Sequence, residues 1–334
     1  MKEYSLIIDG GTTNTRFTLL DQDKIIARTE CKVGAVNADT SSTNEQLKKA
    51  VKEKIAELKE AHGCIIPGIY ASGMITSNAG LYEIPHLEAP VSLEKLAAGI
   101  HSERLPEICR EAVFHFIPGI RFNNQPQFGI DMLRGEEVEI IGALGPEDED
   151  KTILFMHFGS HNKLMYYADG AIQNAVTTIG GELLWAIIYD TILKSSVASL
   201  EEPFTLDEEY VKIGFKETKL NNISRSMFQG RIHQVIEQAG KEQILSYIYG
   251  AVMCIDMQAF IPLLKQKADK CIIYGRETFM KAFCICLSLS GEEEISRIKL
   301  ETIPYAESEW LSLKGVQRIR SRFGTLLTGT EEIC

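Results

Sequence analysis

The chain has 334 residues, which is more than one ordinary hydrophobic core holds and predicts about two domains. Its net charge of −11 excludes general electrostatic attraction to nucleic acid or to an anionic membrane, so we expect neither as a partner. Hydrophobic content of 45% and charged content of 24% are typical of a soluble globular protein. Eight scattered cysteines form no metal-binding pattern, and no leader pattern precedes the first predicted strand. We therefore expect a cytoplasmic protein with reduced thiols.

The chain opens with two apolar runs separated by a glycine-rich polar turn. The first run ends at Asp9, the turn is Gly10-Gly11-Thr12-Thr13-Asn14, and the second run begins at Phe17. Two strands joined in this way form a β-hairpin, whose turn offers backbone N–H groups and hydroxyls to a phosphate. Asp9 would then face a Mg²⁺ ion on that phosphate, since hard cations prefer oxygen ligands. The alternative is a polar turn that binds no ligand.

The next elements alternate between strand and helix. A third strand is predicted over Lys24 to Cys31. Ser42 and Glu45 have the spacing of a capping box, and apolar residues then recur at helical spacing. A buried strand over Cys64 to Ala71 leads into the run 72–80, which is rich in glycine and serine. These elements predict an α/β unit at the start of the chain.

The first half of the chain closes with Asp131-Met132-Leu133-Arg134-Gly135-Glu136-Glu137 and an apolar stretch that follows it. The pattern predicts a helix with Asp131 as its N-cap or first-turn acid. Residues three apart at a helix start lie on one face, about 5–6 Å apart at Cβ, so Asp131 and Arg134 would reach one ligand. The structural alternative is that these two side chains pair and cap the helix. The breaker Gly145-Pro146 and the acidic run after it divide the chain into domains 1–145 and 146–334.

The second half repeats the opening arrangement. A strand from Thr152 to Phe158 meets the small polar tip Gly159-Ser160-His161-Asn162, and a strand begins at Lys163. Two hairpins with polar tips, one opening each half, predict a duplicated domain. His157 and His161 flank this tip, but they share no helix and have no evident third ligand, which disfavours zinc.

Three later features complete the pattern. Gly180-Gly181 opens a helix that is apolar on nearly every side. The stretch from Ile244 to Ile261 is long enough to suggest a membrane span, but Asp256 interrupts it and Pro262 ends it, so we predict a core helix. A short strand then runs into Gly275-Arg276-Glu277.

Three of these runs together resemble one family of kinases. They are Ile8 to Arg16, Gly73 to Gly80 and Met132 to Ala143, with a weaker fourth from His157 to Lys163. Their order and spacing resemble the 2-dehydro-3-deoxygalactonokinases, within the actin-like, Hsp70 and sugar-kinase superfamily. The chain departs from the family's usual pattern at Gly10, where Trp is usual, at the second tip, and at Gly275-Arg276-Glu277, where the family resembles Gly-Thr-Ser.

The resemblance implies an α/β, two-domain actin-like ATPase fold, with a mixed five-stranded sheet in each domain and a cleft between them. It implies a kinase that uses ATP and Mg²⁺ to phosphorylate 2-dehydro-3-deoxy-D-galactonate at its terminal C6 hydroxyl. The partners would be the sugar acid and ATP, with a homodimer as one option for assembly. A kinase for another acidic sugar, or a non-catalytic nucleotide- or sugar-binding protein, are the alternatives.

The resemblance also implies roles for individual residues. Asp131 is the candidate general base, with Glu136 and Glu137 as rivals, and Asp9 is the metal ligand. Substrate contacts are expected from Arg16, Ser77, Asn78, Arg134 and Glu136. Nucleotide contacts are expected from Gly10, Gly11, Thr12, Thr13, Asn14, Gly159, Ser160, His161, Lys163, Gly181 and Gly275.

Overall fold

The computed structural model describes residues 1–37, 44–123, 129–148, 150–200, 204–292, 295 and 298–331. Its strands are β1 (Lys2–Gly10), β2 (Thr15–Asp21), β3 (Lys24–Cys31), β4 (Cys64–Gly73), β5 (Leu87–Glu88), β6 (Val91–Ser92), β7 (His101–Glu103), β8 (Val113–Phe116), β9 (Ile120–Phe122), β10 (Asp131–Leu133), β11 (Ile153–Phe158), β12 (Asn162–Ala168), β13 (Ala171–Thr178), β14 (Lys270–Gly275) and β15 (Leu300–Thr302). Its helices are α1 (Glu45–His62), α2 (Leu93–Ala98), α3 (Glu136–Ala143), α4 (Gly180–Asp190), α5 (Glu208–Leu220), α6 (Ile223–Val235), α7 (Lys241–Leu264), α8 (Glu277–Leu287), α9 (Tyr305–Ser308) and α10 (Leu311–Glu331).

Two mixed sheets share one strand order. In the first, β3-β2-β1 form an antiparallel meander, and β4 and β8 follow in parallel beside β1. In the second, β13-β12-β11 form the meander, and β14 and β15 follow in parallel. Each sheet thus contains the predicted five-stranded arrangement, which a short sixth strand extends: β7 in the first and β6 in the second. A small third sheet has the order β10-β9-β5.

The predicted amphipathic helix is confirmed as α1. Its buried residues are Leu47, Val51, Ile55 and Leu58, which pack on the first sheet. Asn44 caps it by accepting a hydrogen bond from the Leu47 N–H at 2.9 Å, and Gly63 ends it in the left-handed conformation. Ser42 of the predicted capping box lies outside the described residues.

The apolar helix of the second half is the core helix α7. Of its 24 residues, 16 are buried, and α5, α6 and α8 pack around it. Among the described residues it is the one helix whose length and composition would allow it to cross a membrane. However, 78% of its most apolar window is buried inside the protein, which supports the prediction of a core helix. Pro262 does not end α7, which continues to Leu264.

The closing helix α10 returns to the first half of the chain. Arg318 donates a hydrogen bond to the carbonyl oxygen of Ile141 at 2.7 Å, and Arg320 donates one to Ser5 Oγ at 2.6 Å. β6 crosses in the other direction, because it comes from the first half and pairs with β13. The division at residue 145 stays a prediction, with α10 and β6 as two elements that link its halves.

The helix predicted to begin near Asp131 begins five residues later, at Glu136. Asp131 is instead the first residue of β10 and pairs with Phe122 of β9. Gly135 explains the late start, since its φ of +119° cannot belong to a right-handed helix. The prediction that Asp131 and Arg134 share one helix face is therefore wrong, because both residues precede the helix.

Candidate active site

The first hairpin tip is confirmed between β1 and β2. Asp9 lies opposite Arg16 in the register, and the Gly11 N–H donates to the Asn14 carbonyl oxygen at 2.8 Å, which closes the turn. Arg16 Nη1 lies 3.3 Å from Asp9 Oδ2. Burial raises the pKa of Asp9, while the charge of Arg16 opposes that shift. The Asp9 side chain remains 23% exposed, so one acid at the strand end stays accessible.

Arg134 holds the loop that follows β4. Its Nη1 donates to the carbonyl oxygen of Thr76 at 2.6 Å and also to the Thr76 hydroxyl. Its Nη2 donates to the Ile84 carbonyl oxygen at 3.3 Å and lies 3.1 Å from His86 Nδ1. No ion pair joins Arg134 to Asp131 within the part of the chain that the structure describes. Arg134 therefore neither shares a helix face with Asp131 nor pairs with it, but fastens the 76–86 loop.

Ser77 and Asn78 lie on this same loop and differ in exposure. The Ser77 hydroxyl donates to the Met74 carbonyl oxygen at 2.7 Å and accepts from the Ala79 N–H at 3.3 Å. Asn78 is exposed. Ser77 thus satisfies its own turn, as the structural alternative for such residues requires, and Asn78 is the more accessible polar group.

The second hairpin tip lies against two helix starts. The Glu182 N–H donates to the Ser160 carbonyl oxygen at 3.0 Å, at the first turn of α4. The Arg276 N–H donates to the Phe158 carbonyl oxygen at 2.9 Å, just before α8. His161 Nε2 lies 3.3 Å from a Glu182 carboxylate oxygen. The predicted grouping of the tip with Gly181 and Gly275 is therefore present in the structure.

An ion pair connects the two halves of the chain beside this tip. Lys163 Nζ, at the start of β12, lies 2.9 Å from Glu136 Oε1, at the start of α3. Their side chains are only 10% and 15% exposed. Burial alone would raise the pKa of Glu136, but the charge of Lys163 and its hydrogen bond outweigh burial and the net pKa is lowered. Glu136 is thus an ionised carboxylate at the start of α3 that is paired with the second hairpin.

The neighbouring carboxyl has the opposite electrostatic environment. Glu137 is fully buried, and the Gly135 N–H donates to its Oε2 at 2.8 Å. Burial and the charge of Glu136 raise the pKa of Glu137 to about 7. Two adjacent acids with pKa values moved apart are a pattern that active sites use.

Three buried polar groups nearby find no hydrogen-bond partner among the described residues: Glu139 Oε2, His157 Nδ1 and the Tyr274 hydroxyl. His157 stacks on Tyr274 with ring centroids 5.0 Å apart, and its Nδ1 lies 3.8 Å from Glu139 Oε2. Burial lowers the pKa of His157 to about 4 and, with the charges of Glu136 and Asp9, raises that of Glu139. His157 is therefore a neutral buried ring. Among the described residues no group of three His, Cys, Asp or Glu side chains could hold a metal alone.

Asp131 is tied to the second sheet. The Thr177 N–H donates to its Oδ2 at 2.8 Å, and the Thr177 hydroxyl donates to its Oδ1 at 2.8 Å. The Met132 N–H also donates to Oδ1, at 2.7 Å. Both oxygens are therefore occupied by a contact that joins β10 to β13.

A pocket of about 700 Å³ opens along α8, which begins two residues after Gly275. α8 contributes one wall, beginning with Glu277 and Thr278 directly after Gly275, and residues 204–208 contribute another. The pocket is lined by Phe204, Thr205, Leu206, Glu208, Glu277, Thr278, Met280, Lys281, Cys284, Ile285, Thr302 and Pro304. Its mixed polar and apolar lining and its volume are those of a small-molecule site.

Sequence reasoning missed several residues of this region. No motif marks the three residues Thr177, His86 and Glu139 in the sequence. They become candidates only because the fold brings Thr177 to Asp131, His86 to Arg134 and Glu139 to His157. Glu139 had one detectable signal, since it lies one turn after Glu136 on the same helix.

The duplicated sheet order, with a polar hairpin tip on each sheet, is that of the actin-like ATPase and sugar-kinase fold. Residues 9–300 match the family described as 2-keto-3-deoxy-galactonokinase, and the chain belongs to that family. The resemblance found in the sequence motifs is thereby confirmed.

Two relatives agree with this assignment. A curated protein of Rhizobium meliloti, named a probable 2-dehydro-3-deoxygalactonokinase, is 26% identical over 205 residues, which cover 59% of this chain and 60% of that protein. The chain thus aligns with about three fifths of that relative's length. A crystal structure from Sinorhizobium meliloti, of a protein provisionally named a 2-dehydro-3-deoxygalactonokinase, has a TM-score of 0.74 at 19% identity. That match covers 95% of this chain and 98% of the other, and it shows a shared fold.

Proposed function

We propose that this protein is an ATP- and Mg²⁺-dependent kinase, acting in the cytoplasm, that phosphorylates 2-dehydro-3-deoxy-D-galactonate at its C6 hydroxyl. Membership of the 2-keto-3-deoxy-galactonokinase family supports the reaction and the substrate. The observation that carries the mechanism is the Glu136–Lys163 ion pair, which brings a carboxylate at the start of α3 to a cation directly after the second hairpin tip.

The residues present fit a magnesium–nucleotide complex. Mg²⁺ is commonly held by one or two carboxylates together with phosphate oxygens and water, so Asp9 needs no ready-made cluster of ligands. Glu139 Oε2 and His157 Nδ1 leave unpaired polar atoms in the same region. When bound, ATP supplies the phosphoryl group and Mg²⁺ neutralises charge on its oxygens. The pocket beside Gly275 has the size and lining to receive the adenosine.

We assign the general base to Glu136 rather than to Asp131. Glu136 stays ionised and binds Lys163, a lysine that would also face the phosphates, through Oε1, while its Oε2 accepts from the Arg134 N–H at 3.2 Å. Asp131 instead accepts three hydrogen bonds, from the Met132 N–H and from both donors of Thr177. In a loose transition state the acceptor hydroxyl loses its proton late, so an ordinary ionised carboxylate can serve as the base. Lys163 would then stabilise charge on the transferring oxygens. Asn78 and the loop fastened by Arg134 would hold the sugar acid.

The test compares Glu136→Gln with Asp131→Asn in steady-state kinetics. General-base catalysis contributes about 10²–10⁴-fold, so Glu136→Gln should lower kcat by that order in protein that circular dichroism shows to be folded, although the loss of the buried ion pair also lowers its melting temperature. Asp131→Asn should mainly lower the melting temperature, because it weakens the contact between β10 and β13. The reverse pattern, with kcat lost in Asp131→Asn and kept in Glu136→Gln, would return the base to Asp131.

A further inference from the structure

A buried acidic residue lies in the middle of the apolar core helix α7. Asp256 is 2% exposed, and most of its neighbours along α7 are buried hydrophobic residues. A carboxylate removed from water is costly unless hydrogen bonds replace its hydration. Asp256 is therefore expected to have a specific polar partner.

Asp256 has two polar partners, the Thr178 side chain and Asn162, which lies at the end of the second hairpin tip. Asn162 is fully buried, and its Nδ2 donates to Asp256 Oδ2 at 2.7 Å. An ionised carboxylate accepts but cannot donate, so this contact fixes the amide with its NH₂ group toward Asp256 and its oxygen toward the tip. The Gly159 N–H donates to that oxygen at 3.3 Å. One carboxylate in the core thus orients the group that ties the two ends of the tip together.

The start of α4 packs closely against this contact. A Cβ on Gly180 would collide with Asp256 Oδ2 and lie 2.6 Å from Asn162 Nδ2, so α4 starts directly against the pair. The next residue, Gly181, packs equally closely on the Gly159 carbonyl oxygen. The tip is therefore enclosed by α4 on one side and by Asp256 on the other.

We propose that Asp256 is a positioning residue for nucleotide binding, which acts through Asn162 to hold the Gly159–Asn162 tip in the conformation that receives the phosphates of ATP. This inference rests on the proposed kinase function. It gives a reason for the presence of Asp256 in the middle of α7, where a buried carboxylate would otherwise only reduce stability. Asp256 touches no substrate and acts through the amide of Asn162.

The experiment exchanges the two partners. Asp256→Asn replaces an acceptor-only carboxylate by a neutral amide that can turn its NH₂ group toward Asn162 and so no longer fixes the orientation of that side chain, and Asn162→Asp places two carboxylates against each other. Each single variant should raise the dissociation constant of Mg-ADP, measured by calorimetry, about tenfold, as expected for losing a hydrogen bond to a charged group. The double variant restores one donor and one acceptor with their positions exchanged, and its second carboxylate oxygen can still accept from Gly159. Its dissociation constant should return to within about threefold of wild type.

A matched control separates positioning from general destabilisation. Met257→Ala opens a cavity at the adjacent buried position of α7 and should lower the melting temperature without changing the affinity for Mg-ADP. In the single variants the KM for the sugar acid should stay within about twofold while the KM for ATP rises. Single variants that bind Mg-ADP as tightly as wild type would overturn the inference. A double variant whose dissociation constant for Mg-ADP is as high as that of the weaker-binding single variant would overturn it too. Wild-type protein that binds neither Mg-ADP nor Mg-ATP would instead overturn the proposed function, which is a separate result.

Discussion

Replacing Glu137 by glutamine removes a buried carboxyl group while keeping its size and one acceptor for the Gly135 N–H. Glu137 is fully buried, and its pKa rises from 4.5 to about 7 because of burial and the charge of Glu136. The unfolded chain therefore releases this proton near pH 4.5, whereas the folded protein keeps it to about pH 7. Between these values the folded state binds more protons, so the free energy of unfolding falls as pH rises.

The magnitude follows from the size of the pKa shift. About 2.5 pKa units at ~1.4 kcal/mol per unit correspond to ~3 kcal/mol of stability lost between pH 4.5 and pH 8. Glu137→Gln lacks this titration. The free energy of unfolding of the variant minus that of wild type should therefore increase by about 3 kcal/mol as the pH rises from 4.5 to 8.

Urea unfolding followed by circular dichroism at pH 4.5, 6, 7 and 8 measures this difference. The control is Glu60→Gln, at an exposed position of α1, whose unfolding curves should follow those of wild type at every pH. Parallel pH profiles for Glu137→Gln and wild type would refute the argument. They would mean that Glu137 is ionised in the folded protein at the same pH as in the unfolded chain.

Two further substitutions test the contacts of Arg134 with the 76–86 loop and the role of Asp9 as a metal ligand. Arg134→Lys should lower the free energy of unfolding by about 1–3 kcal/mol, because one ammonium group cannot reach Thr76 and Ile84 together. Urea unfolding measures this loss. An unchanged urea midpoint with a raised KM for the sugar acid would show instead that Arg134 binds the substrate directly. Asp9→Asn should lower kcat about 100-fold or more, since metal charge stabilisation is worth several kcal/mol. Its melting temperature should stay within about 3 °C, because the ion pair with the partly exposed Arg16 contributes little. Near-normal turnover in Asp9→Asn would remove that residue from the metal site.

Local sequence signals predicted the elements that local interactions determine. The positions Leu47, Val51, Ile55 and Leu58 were recognisable from helical spacing, and all four are buried in α1. Both hairpins and the strand Lys24–Cys31 followed from apolar runs separated by turn residues. In these segments the pattern of burial and the turn chemistry agree, so one structure satisfies both.

The errors arose where distant contacts or one glycine decide the structure. Asp131 resembles a helix cap in sequence, but β9 supplies a strand partner and Gly135 delays the helix. Asp256 reads as an interruption of an apolar helix until Asn162, 94 residues away in the chain, is placed beside it. The sequence alone does not contain such pairings, because they depend on the packing of whole sheets and helices.

The most direct test of the proposed activity is ADP release by the purified protein from Mg-ATP, with and without 2-dehydro-3-deoxy-D-galactonate. The account predicts ADP release that depends on the sugar acid and stops when EDTA removes Mg²⁺, together with one sugar-acid phosphate ester formed at C6 per ADP. A panel of other acidic sugars should give lower kcat/KM values. Measurable ATP binding without ADP release for any acid in the panel would contradict the account and favour a nucleotide-binding protein on the same fold.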